Sequence, residues 1–374
     1  MKPLWRIFRT ILVSALVVST ILLASEPAGA WLPYTQTYCL VDLDSGQVLA
    51  QKNSRAQMPP ASTTKILTAA LVEDYCTPDE IVTVSQRAAD TPPSAVGIRT
   101  GDRVKVKDLY TAMLLVSAND AAVALAEHIA GSEPVFAYMM NKKAWLIGAF
   151  DSHFENSNGL PDPNHYSSGY DLFLLTRCAL SYPGFSETVA KTEAKIYYPG
   201  YPNGRLVHNT NRLLYSYPGT KGVKTGTTSA AGHCLVALAE RQQRRLVTIV
   251  LRSSNRYHDT SALFDFGFNR FSLKKVISAG EAFKSVQVEQ GKSYKLTAFP
   301  ERDVWLYIDD QGTRRMEKRV NLEYVKRAPI KKGDKLGTLE VYYNGEFVEN
   351  TGLIAGNSVA RRTKGVFRLL PLFR

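Results

Sequence analysis

Three short runs bring together side chains able to do chemistry: Ser62-Thr63-Thr64-Lys65, Ser117-Ala118-Asn119 and Lys224-Thr225-Gly226. A serine hydroxyl is a poor nucleophile until a base takes its proton. A lysine amine becomes that base when burial and nearby positive charge lower its pKa. Residues three apart share a helical face, so Lys65 reaches the Ser62 hydroxyl if this stretch is helical. A serine in the first turn also sits beside free backbone N–H groups and the positive end of the helix dipole, which is half of an oxyanion hole. The same letters fit an N-cap serine followed by a solvated lysine, and on local pattern alone the cap is the commoner arrangement.

Ser117 is suited to relaying a proton, and Asn119 offers both a donor and an acceptor to a substrate amide. Asn119 equally fits a cap on a helix beginning at Asp120. Lys224 supplies positive charge for a carboxylate and Thr225 a hydroxyl, while Gly226 lets an extended peptide lie against the backbone. An exposed edge strand carrying a protective lysine has the same look. Gly219, Gly222, Gly226 and Gly232 crowd this stretch and favour close backbone approach. Each run is short enough to recur by chance: Ser272-Leu273-Lys274-Lys275 repeats the first and Ser253-Ser254-Asn255 the second. Ser272 has no comparable helix after it.

Elements able to position these runs are readable from periodicity. Runs at 37–43 and 47–50 flank Asp44-Ser45-Gly46 and predict a hairpin. Helices are expected from Ser62 to about Tyr75 with Ile66, Leu67, Ala70 and Leu71 inward, then over Lys107–Leu115, Asp120–Ala130 (stopped by Gly131) and Glu133–Ile147. Ser117-Ala118-Asn119 then falls on a short connection between helices. Strands are expected over 232–238 and 246–251, with Lys224-Thr225-Gly226 on an edge strand before them and a helix from about Tyr257 to Phe268 after them. This order implies an α/β (α+β) domain: an antiparallel sheet flanked by helices, with a helical insertion. From about Lys274, alternating segments such as 285–288, 303–308 and 339–343 imply a small all-β domain.

Of the formal charge of +12, the first thirty residues carry +2 and the last fifteen +5, so the body is only mildly basic and nucleic acid is an unsuitable partner. The N-terminus has a basic segment to Arg9, an apolar run from Thr10 to Ala24, and Ala28-Gly29-Ala30, which reads as a signal peptide over 1–30 cleaved after Ala30. An uncleaved signal anchor is the alternative. Four cysteines, Cys39, Cys76, Cys178 and Cys234, are too few and scattered for a disulfide scaffold. The six histidines show no zinc-binding spacing, so no metal site and no cofactor is expected, and a metallopeptidase is disfavoured. Residues 360–374 are basic with interleaved apolar positions and suit a membrane-surface anchor or a basic end.

Taken in order, the three runs are the set found in penicillin-binding proteins and β-lactamases. Longer stretches resemble the low-molecular-mass D-alanyl-D-alanine carboxypeptidases: Pro60-Ala61-Ser62-Thr63-Thr64-Lys65, the run from Met113 to Ala122, Asn156-Ser157-Asn158-Gly159-Leu160-Pro161, and Gly222-Val223-Lys224-Thr225-Gly226-Thr227-Thr228. The resemblance is strong from about Trp31 to Ser272 and looser through the β domain to about Ala360. It implies a catalytic domain over 31–273 with the transpeptidase/β-lactamase-like fold, a β-rich domain over 274–359 and a tail over 360–374. By resemblance, Ser62 is the acyl-ester nucleophile, Lys65 its base and Ser117 the relay toward the leaving amine. Asn119 holds the substrate backbone, and Lys224 and Thr225, with Gly226 in the same strand, engage the terminal carboxylate. The backbone N–H groups of Ser62 and Thr227 form the oxyanion hole, and Arg256 lies near the carboxylate.

The implied activity removes the terminal D-alanine from peptidoglycan stem pentapeptides, with β-lactam antibiotics as covalent inhibitors. The implied location is the outer face of the cytoplasmic membrane, the periplasm or the cell-wall space. A DD-endopeptidase cutting crosslinks would use the same residues. A β-lactamase is disfavoured because no Glu-x-x-Leu-Asn run exists, Glu155-Asn156-Ser157-Asn158 lacking the leucine. A non-catalytic wall-binding protein is disfavoured because each catalytic side chain is present.

Overall fold

The opening hairpin pairs Thr37–Asp42 antiparallel with Val48–Lys52 in a computed structural model that describes residues 35–362. The expected signal peptide and residues 363–374 of the expected tail lie outside the described residues. Asp42 closes the hairpin turn by accepting from the Ser45 N–H and hydroxyl at 3.0 and 2.8 Å. The sheet has five antiparallel strands in the order Val48–Lys52, Thr37–Asp42, Arg244–Ser253, Gly232–Arg241, Thr220–Thr228. The strand bearing Lys224 is therefore an edge, as its composition implies. Gln242 and Gln243 make the turn between the two preceding strands, with φ of 50° and 66°, which matches the twist of a tight hairpin.

Strand alternation gives the sheet two apolar faces. Cys39, Val41, Val247 and Ile249 face one core, under the helical insertion, and Tyr38, Leu40, Leu246 and Val250 face the other, under the Arg256–Arg270 helix. Gly267 lets that helix settle closely, since a Cβ there would stand 2.6 Å from Leu246. The insertion contains the expected helices at Val106–Leu115, Asn119–Ala130 and Glu133–Ile147. Gly131 ends the second in the left-handed region at φ 76°. Periodicity missed the Gly169–Ala179 helix, although Ser168 and Asp171 form its start signal: the Ser168 hydroxyl accepts from Asp171 N–H at 3.1 Å. It also missed the hairpin of Glu193–Tyr198 with Tyr201–His208.

Beyond residue 270, Phe271–Ile277 pairs with Val304–Asp309, and a six-stranded mixed sheet follows with its own core. The β-rich part is fastened to the opening hairpin, where Gln47 donates to Tyr307 O at 2.7 Å and accepts from Tyr307 N–H at 2.8 Å. Arg244 lies 3.7 Å from the centre of the Tyr307 ring. Residues 360–362 run against the same part: Lys292 N–H donates to Ala360 O at 2.9 Å and Arg362 N–H to Gln290 O at 2.7 Å. All four cysteines are free thiols.

Candidate active site

Ser62 does not cap a helix. Ala61–Thr64 forms a 3₁₀ turn, with Ala61 in the left-handed region at φ 50°, and the α-helix Lys65–Tyr75 starts behind it. The turn is pinned by Thr63, whose hydroxyl donates to Pro60 O at 2.7 Å. Lys65 through Val72 are all buried, so the helix runs through the core and Lys65, at 0% exposure, is no solvated charge.

The Lys65 amine has three oxygen neighbours: Ser62 Oγ at 2.9 Å, Asn119 Oδ1 at 2.7 Å and Asn158 O at 2.7 Å. The last two can only accept. A neutral amine has two N–H bonds and one lone pair, so the carbonyl oxygens of Asn119 and Asn158 take both N–H bonds. The lone pair is then directed at the Ser62 hydroxyl. Burial, aided by the Lys224 charge and opposed by Asp120, holds the Lys65 amine well below the usual lysine range, which favours this neutral form.

Ala118 fills the cap position without a side-chain bond, and Asn119 is the first residue of its helix. Its amide donates to Pro92 O at 2.9 Å, which orients Oδ1 toward Lys65. Ser117 precedes it in the left-handed region at φ 62°, so the connection turns sharply after the Val106–Leu115 helix. Asp120 anchors the segment from below: its carboxylate accepts backbone N–H bonds from Val96, Gly97 and Ala121 at 2.9 to 3.2 Å.

Across from these helices, the edge strand comes into contact with the serine turn at Gly226. A Cβ there would stand 3.1 Å from Ala61 Cβ, Pro60 O and Ser62 N, so a side chain would need the strand or the serine turn to give by a few tenths of an ångström. Lys224 is 1% exposed, and burial together with Arg256 lowers its pKa to about 7. Arg256 opens the Arg256–Arg270 helix and donates to Gly226 O at 2.8 Å and Thr227 Oγ1 at 2.9 Å, fixing the strand from its outer side. A cavity of about 490 Å³, lined by Asn209, Thr210, His233, Arg256 and Tyr257 among others, opens beside it.

Ser62, Lys65 and Asn119 are thus joined by direct bonds, and the strand of Lys224, Thr225, Gly226 and Thr227 is held against them. The resembling runs come apart. Ser272 and Lys275 lie on a strand, where residues three apart face opposite sides, and pair with Asp310 and Asp303. Asn255 caps the helix after Ser253-Ser254, accepting from His258 N–H at 3.3 Å.

Three contributors carried no assigned role in the sequence. Asn158 acts through its backbone carbonyl, which no side-chain type signals, though its run had been singled out. His165 holds the same loop under the serine turn: Nδ1 accepts from Glu155 N–H at 3.1 Å, so Nε2–H donates to Thr64 Oγ1 at 2.8 Å. Burial pushes its pKa down to about 4, which keeps this single tautomer.

Thr210 links two motifs. Its hydroxyl lies 2.8 Å from Thr225 Oγ1 and 3.2 Å from Leu115 O, at the end of the helix before Ser117. Thr210→Val keeps the shape and removes the link. A hydrogen bond of about 0.5–1.5 kcal/mol predicts a three- to tenfold loss of kcat/KM on a D-Ala-D-Ala peptide. Steady-state kinetics would check the loss, beside thermal unfolding, where the same bond costs about 0.5–1.5 kcal/mol and leaves the fold intact. Beside the Ser62 and Thr225 hydroxyls stand the Lys224 and Arg256 side chains, whose positive charge disfavours a bound metal ion.

The family model for D-alanyl-D-alanine carboxypeptidase matches residues 32–255, and that for the penicillin-binding protein 5 C-terminal domain matches residues 271–361. The chain is 32% identical to the D-alanyl-D-alanine carboxypeptidase DacD of Salmonella typhimurium over 93% of its own length and 91% of the relative's. It is 31% identical to DacF of Bacillus subtilis, covering 84% and 83%. Among solved structures, it is similar to penicillin binding protein 5 from Haemophilus influenzae, with TM-score 0.69, 28% identity and 87% and 98% of the two chains covered. DacD from Francisella tularensis shares the fold at TM-score 0.72, with 24% identity over 88% and 94%.

Proposed function

Because the chain belongs to the D-alanyl-D-alanine carboxypeptidase family, a family of serine peptidases of the cell wall, we propose that Ser62, Lys65 and Ser117 are its reacting groups. The observation that supports this most directly is the buried Lys65 amine 2.9 Å from Ser62 Oγ, with its other two partners both obligate acceptors. The substrate's terminal carboxylate lies against Lys224 and Thr225, and the scissile carbonyl oxygen points to the backbone N–H groups of Ser62 and Thr227. Gly226 keeps the strand close enough to form that hole. Arg256 holds Gly226 and Thr227 in place and adds positive potential beside the carboxylate.

Ser62 Oγ attacks the carbonyl carbon as its proton passes to Lys65 Nζ. The oxyanion is stabilised by the two N–H groups. Collapse breaks the C–N bond, and the departing D-alanine amine takes the proton from Lys65 through the Ser117 hydroxyl. Water then gives a proton to neutral Lys65 and attacks the ester carbonyl; collapse breaks the C–Oγ bond, and Lys65 returns that proton to Ser62 Oγ, which restores the hydroxyl and the neutral amine. Asn119 orients Lys65 and offers its remaining amide N–H to the substrate backbone. A β-lactam follows the first half of this path and stays on Ser62.

Labelled penicillin is expected to modify Ser62 alone, as read by peptide mapping of the adduct. Label at Ser272 would overturn the assignment. Mass spectrometry of products from pentapeptide and from crosslinked muropeptides separates carboxypeptidase from endopeptidase action, and loss of the terminal D-alanine is the expected product.

The same reading has the chain exported through residues 1–30 and held at the outer face of the membrane by its basic, apolar end. Arg361 and Arg362 bond to Gln290 and Tyr294, so the lipid contact is assigned to residues 363–374. Each basic residue near an anionic surface contributes about 1 kcal/mol, enough with a few apolar side chains for reversible binding. Deleting residues 363–374 is expected to release the protein from anionic vesicles in co-sedimentation while hydrolysis of a soluble D-Ala-D-Ala peptide stays unchanged.

A further inference from the structure

The two helices that bring Lys65 and Asn119 together also converge at their other ends. The Lys65–Tyr75 helix is capped by Cys76, and the Asn119–Ala130 helix carries His128 in its last turn. Glu80 stands just before the Ile81–Thr83 strand, between them. One donor atom from each of Cys76, Glu80 and His128 falls within 4.8 Å of the other two. Glu80 is held in place: one carboxylate oxygen accepts from Thr77 N–H at 2.6 Å and from the Thr77 hydroxyl at 2.9 Å. Its other oxygen faces His128 Nε2 at 3.2 Å.

An ion pair would account for Glu80 and His128, and the half-buried Cys76 side chain packs at the margin of the helical core, yet its Sγ also falls beside both of them. A thiolate, an imidazole and a carboxylate form a mixed sulfur, nitrogen and oxygen donor set, which suits Zn²⁺, whereas Mg²⁺ and Ca²⁺ take oxygen. Donors around tetrahedral zinc stand about 3.3–3.8 Å apart, so the Glu80–His128 spacing is already close to that range and side-chain rotations of about 1 Å bring in Cys76. The three positions are separated in sequence by different spacings, which is why no metal pattern was visible there.

We propose that Cys76, Glu80 and His128 bind one Zn²⁺, with water as fourth ligand, joining the far ends of the two helices that carry the reaction centre. His128 ligates through Nε2: the N–H that faces Glu80 without metal gives its proton to solvent as the N–Zn bond forms, and the ring keeps a proton on Nδ1. The Cys76 thiol gives its proton to solvent as the S–Zn bond forms. Three protein ligands and an exposed imidazole make the ion exchangeable rather than permanent.

The test uses the intact protein stripped with chelator, then titrated with Zn²⁺ against a chromophoric competitor and, separately, with Co²⁺ by absorbance. The expected result is one equivalent bound, a thiolate-to-Co²⁺ charge-transfer band that vanishes in Cys76→Ser, and affinity at least about tenfold weaker in Cys76→Ser and His128→Gln. Zn²⁺ should also raise the Tm of the parent and not of the variants. Acylation of both variants by labelled penicillin, without zinc, verifies their fold. Equal Zn²⁺ affinity in the variants, absence of binding at about 100 μM zinc, far above ordinary protein site affinities, or a charge-transfer band that survives Cys76→Ser would overturn the proposal.

Discussion

Lys65→Arg lowers the rate of Ser62 acylation by about 10²–10⁴-fold, the range that a positioned general base supplies. A guanidinium keeps its proton at every working pH and has no lone pair to accept the Ser62 proton. It also brings a fixed charge into a site where the amine is buried and held well below the usual lysine range, so some stability goes with it. Lys65→Met serves as the companion, since it removes the base without burying a charge. It leaves Asn119 Oδ1 and Asn158 O without their Lys65 donor. Stopped-flow acylation with a labelled penicillin, alongside thermal unfolding, checks both. A folded Lys65→Arg variant that acylates at the parent rate would refute the general-base role.

Lys224→Met is expected to raise KM for a peptide with a free C-terminal carboxylate by about 10²-fold or more, from the about 2–5 kcal/mol that truncating a desolvated charge partner costs. The pH profile carries a second signature. Lys224 must be protonated to hold a carboxylate, so with its pKa lowered to about 7 the favourable charge is present below that pH and fades above it. The parent's kcat/KM then falls on the alkaline side near pH 7, while kcat falls later because the bound carboxylate raises the lysine's pKa. Lys65 must be neutral, which sets the acid limb. Lys224 is one of the groups that depress Lys65, so Lys224→Met raises the Lys65 pKa and moves the acid limb of acylation to higher pH. Rate profiles on penicillin and on peptide, for parent and variant, test both shifts.

What the sequence exposed of this site was its local half. The Ser62–Lys65 spacing, the interhelical position of Ser117 and Asn119, and the glycine that admits an edge strand are written in neighbouring letters, and the five-stranded sheet follows from alternation and turn residues. Local letters could not decide between a solvated and a buried Lys65. That choice depends on Asn119 and Asn158, which reach it from 54 and 93 positions away. The 3₁₀ start at Ala61–Thr64 was hidden because helical periodicity does not distinguish the two helix types over one turn. Thr210 and His165 were missed for a related reason: each bridges two segments, with one partner 95 or 101 positions away, which leaves no local pattern.

In the sheet, Thr37 stands opposite Leu251. Every group assigned to the reaction except Arg256 is threaded between those two strands, so the site lies inside one long closed loop. Loop-closure entropy must be met before any of that pairing is gained, and contacts so remote in sequence slow folding. Until residue 253 has been added, a growing chain lacks the strand that joins the opening hairpin to the strands of Gly232–Arg241 and Thr220–Thr228. The sheet behind Ser62, Lys65 and Lys224 closes only when Arg244–Ser253 takes its place at the middle.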